Sequence, residues 1–172
     1  RFGLGEKSNI EIPGEVPGNI KNLNNPRITI NFFTAAFGQG ISITPIQLVS
    51  AYAALANKGI LMKPQIIEEI RRSDGSSEKI EPQEIRQVIS EKSAQQVSEM
   101  LRSVVANGHG KRADVPGYLV GGKTGTAQVA KTEAKGYEEG MNIGSFAGYA
   151  PTNDPRFVVL QYNPIVRHKV KN

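Results

Sequence analysis

The chain has no cysteine among its 172 residues, which excludes disulfides, thiolate metal sites and a thiol nucleophile. It has only two histidines, His109 and His168, each read as structural or solvated. No His/Asp/Glu spacing suits a metal, so neither metal nor cofactor is expected. No apolar run reaches the ~18 residues of a membrane helix, and no signal peptide precedes Arg1. The opening Arg1-Phe2-Gly3-Leu4-Gly5 carries no methionine and reads as a fragment boundary. Aromatic content is 6%, and the basic residues behind the net charge of +5 are scattered rather than interleaved with aromatics. Nucleic acid is therefore not an expected partner. Glu68-Glu69 and Glu138-Glu139 are adjacent pairs that face opposite ways in strands, and they read as solvated charge.

With 38% apolar and 22% charged residues, the chain can form a core, as one domain or the larger part of one. Residues 3–26, rich in Gly, Pro and Asn, are expected as an irregular loop pinned by Ile10, Ile12 and Val16. Phe32, Phe33 and Phe37 read as core anchors. Thr44-Pro45-Ile46-Gln47 combines a capping residue, an N1 proline and a capping box, predicting a helix over 44–57. Val49, Ala53 and Ala56, widened by Ile46, Leu48, Tyr52 and Leu55, make it a buried one. Residues 65–81 read as a hairpin turning at Asp74-Gly75. Ala94, Val97, Leu101, Val104 and Val105 recur at helical spacing over 90–107. Residues 118–163 read as a three-strand antiparallel meander, with a polar, mobile connection over 130–141. The fold class is α+β, an antiparallel sheet with packed helices.

The pivotal stretch is Gly121-Gly122-Lys123-Thr124-Gly125-Thr126-Ala127-Gln128. On a strand, Lys123 shares a face with Gly125, while Thr124 and Thr126 share the other. Gly122 and Gly125 leave room for another backbone or a ligand. Gly117 to Thr124 also spells the P-loop pattern. That pattern requires a helix at the lysine, whereas Tyr118, Leu119 and Val120 favour a strand and Gly125-Thr126-Ala127 is a poor helix start. The better reading is the K-T-G box of penicillin-recognising serine enzymes. Thr124 and Thr126 hydroxyls can donate to a peptide carboxylate, with Lys123 strengthening those bonds and a free strand edge pairing with the peptide backbone.

Around this box stand Gly108-His109-Gly110, Gly117-Tyr118, Phe37-Gly38-Gln39-Gly40 and Thr44-Pro45-Ile46-Gln47-Leu48. In combination the chain resembles, from Phe2 to about Pro164, the transpeptidase domain of class B penicillin-binding proteins, the cell-wall cross-linking enzymes of division and elongation. The resemblance implies a penicillin-binding transpeptidase (β-lactamase-like) fold and a D,D-transpeptidase acting through an acyl-serine. Lys123 would set the protonation of a second serine motif. The Thr126 amide would supply half of an oxyanion hole, and Thr124, Gly125, Thr126 and, more weakly, Gln128 would contact substrate. Implied partners are a D-Ala-D-Ala-type peptidoglycan stem peptide, β-lactams, the preceding part of the same domain, and divisome or elongasome membrane proteins. The implied place is the extracytoplasmic side of a bacterial cytoplasmic membrane, with an anchor upstream.

Two departures matter. The family's nucleophilic S-x-x-K is missing, and no S-x-N occurs. Ser76-Ser77-Glu78-Lys79 spells S-x-x-K, but at a hairpin tip rather than opening a buried helix, so it reads as a decoy. After Asn163-Pro164 the family's last helix is replaced by a short basic tail. The expectation is a single partial domain over 1–172, the C-terminal portion of a transpeptidase domain, inactive alone and with an uncovered sheet edge prone to self-association. The rival reading is a non-catalytic module that keeps the carboxylate cleft.

Overall fold

A computed structural model describes residues 1–131 and 136–167. Its helices are α1 (Thr29–Ala36), α2 (Pro45–Ala56) and α3 (Glu91–Asn107). Its strands are β1 (Ile60–Met62), β2 (Glu69–Arg71), β3 (Ser77–Lys79), β4 (Glu84–Gln87), β5 (Gly121–Ala130), β6 (Tyr137–Ala150) and β7 (Phe157–Arg167). Among the described residues the strands form three antiparallel sheets: β1–β4, the hairpin β2–β3, and the meander β5–β6–β7.

Helix α2 begins on a complete capping box: Thr44 Oγ1 accepts from the Gln47 amide at 3.3 Å, and Gln47 Oε1 accepts from the Thr44 amide at 3.0 Å. Gln47 is only 2% exposed, and its Nε2 also donates to the carbonyls of Glu6 at 2.5 Å and Pro17 at 2.8 Å. One buried amide thus caps a helix and ties down two points of the irregular N-terminal loop. Asn19 and Ser42 exchange backbone hydrogen bonds, and Glu15 receives the Ser8 amide and hydroxyl, closing the loop further.

Of the expected apolar pins Ile12 and Val16 are exposed and only Ile10 is half-buried, so polar bonds take over much of that role. Phe2 takes the apolar role and packs with Ile89 against the buried cluster of Ala54, Leu61 and Val88. The three phenylalanines read as core anchors are not: Phe32 is exposed, and Phe33 and Phe37 are 68% and 70% exposed on and just after α1. Hydrophobicity alone does not say which side of a short helix meets the body. For α2, the residues that reach the interior are Gln47 and Ala54, seven apart, while Val49, Ala53 and Ala56 are half-buried.

Helix α3 buries Ala94, Leu101 and Val105 and leaves Val97 and Val104 half-buried. It lies against the start of β5, where a Cβ on Gly121 would stand 3.4 Å from Leu101 Cβ and 3.3 Å from the Arg102 amide nitrogen. At Gly121 helix and sheet approach closely, and a side chain there would also collide with Thr152 Cγ2 at 2.5 Å.

The meander starts at Gly121, not at Tyr118. Residues 115–118 form a turn in which the Tyr118 amide donates to the Val115 carbonyl at 3.0 Å, and the Leu119 carbonyl accepts from the Thr152 amide at 2.8 Å. Residues 130–141 are not simply a connection, because β5 runs to Ala130 and β6 begins at Tyr137, with Ala130 opposite Tyr137. Cross-strand pairing overrides the polar composition there. Residues 132–135, and His168 at the other end, lie outside the described residues.

Candidate functional site

Strand β5 is an outer strand, paired with β6 on one side only among the described residues. Thr124, Thr126 and Val129 give it β-branched side chains, and the glycines between them allow a flat ladder. Its register is Lys123 opposite Ala147, Thr124 opposite Phe146, Gly125 opposite Ser145 and Thr126 opposite Gly144. Beyond β6, Phe146 lies opposite Gln161 and Gly144 opposite Asn163. The sheet face that carries Thr124 and Thr126 therefore presents two cross-strand rows, Thr124–Phe146–Gln161 and Thr126–Gly144–Asn163.

Lys123 reaches round the edge. Its Nζ donates to the Thr124 carbonyl at 2.7 Å and to Thr124 Oγ1 at 3.3 Å. The ammonium thus meets the hydroxyl although the two side chains leave opposite faces. Backbone groups two residues apart on a strand point the same way, so the Thr126 amide faces the same free edge as the Thr124 carbonyl. That edge offers a donor and an acceptor to an incoming extended chain.

The spaces above the glycines are filled from within. A Cβ on Gly122 would fall on the ring of Phe146 and 2.8 Å from the Ala147 carbonyl oxygen; one on Gly125 would meet Ser145 Oγ at 2.6 Å. These glycines admit β6, not a ligand.

A groove of about 500 Å³ opens beside the two threonines. Thr124, Thr126, Phe146 and Asn163 line it on the sheet, and His109 and Arg112 line it from the loop that follows α3. That loop is turned back by bonds from the Gly108 and Gly110 amides to the Val104 carbonyl, at 3.1 and 3.0 Å. Thr124, Gly125 and Thr126 thus converge on one groove, while Gln128, exposed opposite Asn142, is not among its lining residues. His109, read from the sequence as structural or solvated, stands exposed on the groove wall. Arg112, Phe146, Gln161 and Asn163 gave no signal in the sequence; the register of β5, β6 and β7 gathers the last three, and the loop after α3 brings in Arg112.

Two competing motifs are disposed of by position. Lys123 and Thr124 lie inside a ten-residue strand, so no helix N-terminus is present to hold a phosphate. Ser76 sits at the exposed tip of the β2–β3 hairpin, its hydroxyl 2.7 Å from Asp74 Oδ1. It has neither burial nor a helix to align it with Lys79.

A family model described as the penicillin binding protein transpeptidase domain matches residues 1–164. The chain belongs to the penicillin-binding protein transpeptidase family. Its likeness is to the class B members. It is 44% identical over 160 residues to Stage V sporulation protein D of Bacillus subtilis, covering 92% of this chain and 24% of that protein. It is 37% identical over 167 residues to penicillin-binding protein PbpB of Mycobacterium tuberculosis, again covering 92% and 24%. The crystal structure of penicillin binding protein 3 from Mycobacterium tuberculosis complexed with aztreonam superposes with a TM-score of 0.87 at 36% identity, over 94% of this chain and 37% of that one. The transpeptidase domain of Burkholderia pseudomallei penicillin-binding protein 3 gives 0.78 at 36% identity, over 94% and 46%. This transpeptidase chain spans about a quarter of the length of the curated relatives it matches.

Proposed function

We propose that this chain is the substrate-strand part of a peptidoglycan D,D-transpeptidase that cross-links stem peptides through an acyl-serine and is blocked covalently by β-lactams. The observation that carries the reading is the pair of hydroxyls, Thr124 and Thr126, beside the Lys123 ammonium on the free edge of a K-T-G strand.

In this reading a stem peptide ending in D-Ala-D-Ala lies along the edge of β5. Thr124 and Thr126 Oγ donate to its terminal carboxylate, and Lys123 raises the local positive potential. The penultimate carbonyl is presented to a serine supplied by the preceding part of the domain. Serine attack forms the ester and expels the terminal D-alanine. The Thr126 amide donates to the oxygen that becomes negative in between, an interaction stronger in the transition state than before it. An amine of a second stem peptide then takes the acyl group and restores the serine. The enzyme works on the outer side of the cytoplasmic membrane, where its polymer substrate lies, and membrane proteins of division or elongation are its natural neighbours.

Among the described residues no serine is poised for this task. Ser145 lines the groove, but the Lys123 ammonium is bonded to Thr124. A carboxylate-binding module without chemistry would keep the same groove, and labelling separates the two. The full-length protein should give a covalent band with fluorescent penicillin on a denaturing gel, prevented by excess unlabelled β-lactam. The 172-residue chain alone, shown folded by circular dichroism, should give none. Absence of a band from the full-length protein would leave only the binding module.

A further inference from the structure

The lysine of the K-T-G box is not the sole source of positive charge at the groove. Lys123 Nζ is held by its own neighbour, 2.7 Å from the Thr124 carbonyl, which draws its charge to the strand edge. The groove on the threonine face contains no acidic side chain among its described lining residues. Its ionisable members are His109 and Arg112, brought in by the loop after α3. The nearby Arg102 is already paired, 2.7 Å from Asp114, whereas Arg112 has no ion-pair partner among the described residues. A guanidinium is always charged and presents planar paired donors that match a carboxylate.

We infer that Arg112 is a further substrate-binding residue, the cation that selects ligands carrying a carboxylate at the Thr124–Thr126 end of the groove. This rests on the transpeptidase reading and deepens it by assigning the charge selectivity of that site. The threonine hydroxyls are neutral donors that can also bond an ester or amide carbonyl, though less strongly than a carboxylate. Discrimination of a free C-terminus needs a permanent charge nearby, in a position that a neutral terminus cannot use. Arg112 lines the same groove as Thr124, Thr126, Phe146 and Asn163, so an anion bonded to the threonines shares that groove with a cation.

A purely structural role predicts something different. Helix α3 has no basic residue in its last turn, and a cation just beyond its end would favour the helix dipole. That role would alter stability and would treat charged and neutral ligands alike.

The test uses the full-length protein and two probes, a fluorescent penicillin with its free carboxylate and the methyl ester of the same compound. Arg112→Gln should lower the second-order acylation constant for the acid roughly tenfold and leave the ester within about twofold, the size expected for one charge-assisted contact. Arg112→Lys should recover most of the loss. In the wild type, raising the salt should slow the acid and spare the ester, and Arg112→Gln should flatten that salt dependence. Equal loss for acid and ester, or no loss, overturns the assignment, as does a lowered melting temperature without an acid–ester split. If neither probe acylates the wild-type protein, the transpeptidase reading fails instead. Should Arg112→Gln not fold, the Arg112→Lys and wild-type salt series still decide.

Discussion

The hydroxyls of Ser98 on α3 and Tyr149 on β6 lie 2.6 Å apart, fastening the longest helix to the strand that pairs with the K-T-G box. Tyr149 is 2% exposed, so its hydroxyl has no water to turn to. Ser98 Oγ has a second partner, the Ala94 carbonyl at 2.9 Å. The two deletions should therefore be unequal. Tyr149→Phe, which orphans nothing, should cost about 1 kcal/mol, while Ser98→Ala, which strands a buried phenol, should cost ~1–3 kcal/mol. Chemical denaturation of both variants and their double mutant measures the difference and the coupling.

The same tyrosine makes the fold sensitive to alkali. Burial raises the Tyr149 phenol above its ordinary value of 10.0, partly opposed by the Ser98 bond; Tyr52 is raised by burial and by the neighbouring Tyr149 charge. Groups raised in the folded state contribute fully below pH 10.0, and the contribution is lost as pH climbs from there through the folded-state values. Melting temperature should fall above that point, and less steeply in Tyr149→Phe. Parallel slopes would remove Tyr149 from the explanation.

Gly122→Ala should distort β5 directly. The new methyl would meet the Phe146 ring and the Ala147 carbonyl, and only the ring can move. Overpacking of this kind costs about 1–3 kcal/mol and would push the ring toward the groove. Penicillin acylation of the full-length variant should slow beyond what its stability loss explains; a normal rate would show that β5 tolerates the shift.

Gln47→Ala removes the side-chain half of the capping box, the acceptor for the Thr44 amide, and frees two loop carbonyls together. Thr44 still caps the Gln47 amide, so the cost comes mainly from the uncompensated buried groups, ~1–3 kcal/mol. Hydrogen exchange should accelerate in residues 3–26 and the first turn of α2 as one unit. Independent behaviour of the two segments would separate what the structure joins.

Ser76→Ala is expected to leave acylation of the full-length protein unchanged, because Ser76 belongs to an exposed turn and bonds to Asp74. Loss of labelling would make the hairpin serine the nucleophile.

Much of this architecture was legible because local chemistry dictates it. The capping box at Thr44 and Gln47, the periodicity of Ala94, Leu101 and Val105, and the glycine-spaced strand at 121–126 all follow from contacts within a few residues. What escaped depends on distant partners. Nothing near Phe33 or Phe37 says that no part of the described chain covers them, and nothing near Arg112 announces that its loop folds back over Thr124. The short β1–β4 pair was missed for the same reason, since its strands are joined through a whole intervening hairpin.

The ladder that joins residues 121–128 to 142–149 buries Ala147 and Tyr149, and α3, which buries Leu101 and Val105, lies against its start. Alignment of the two strands decides which way each hydroxyl looks. Sliding one strand by a single position would turn both threonines to the helix side and leave the groove blank. Phe146, Ser145 and Gly121 are in that sense the residues that hold both hydroxyls toward the groove.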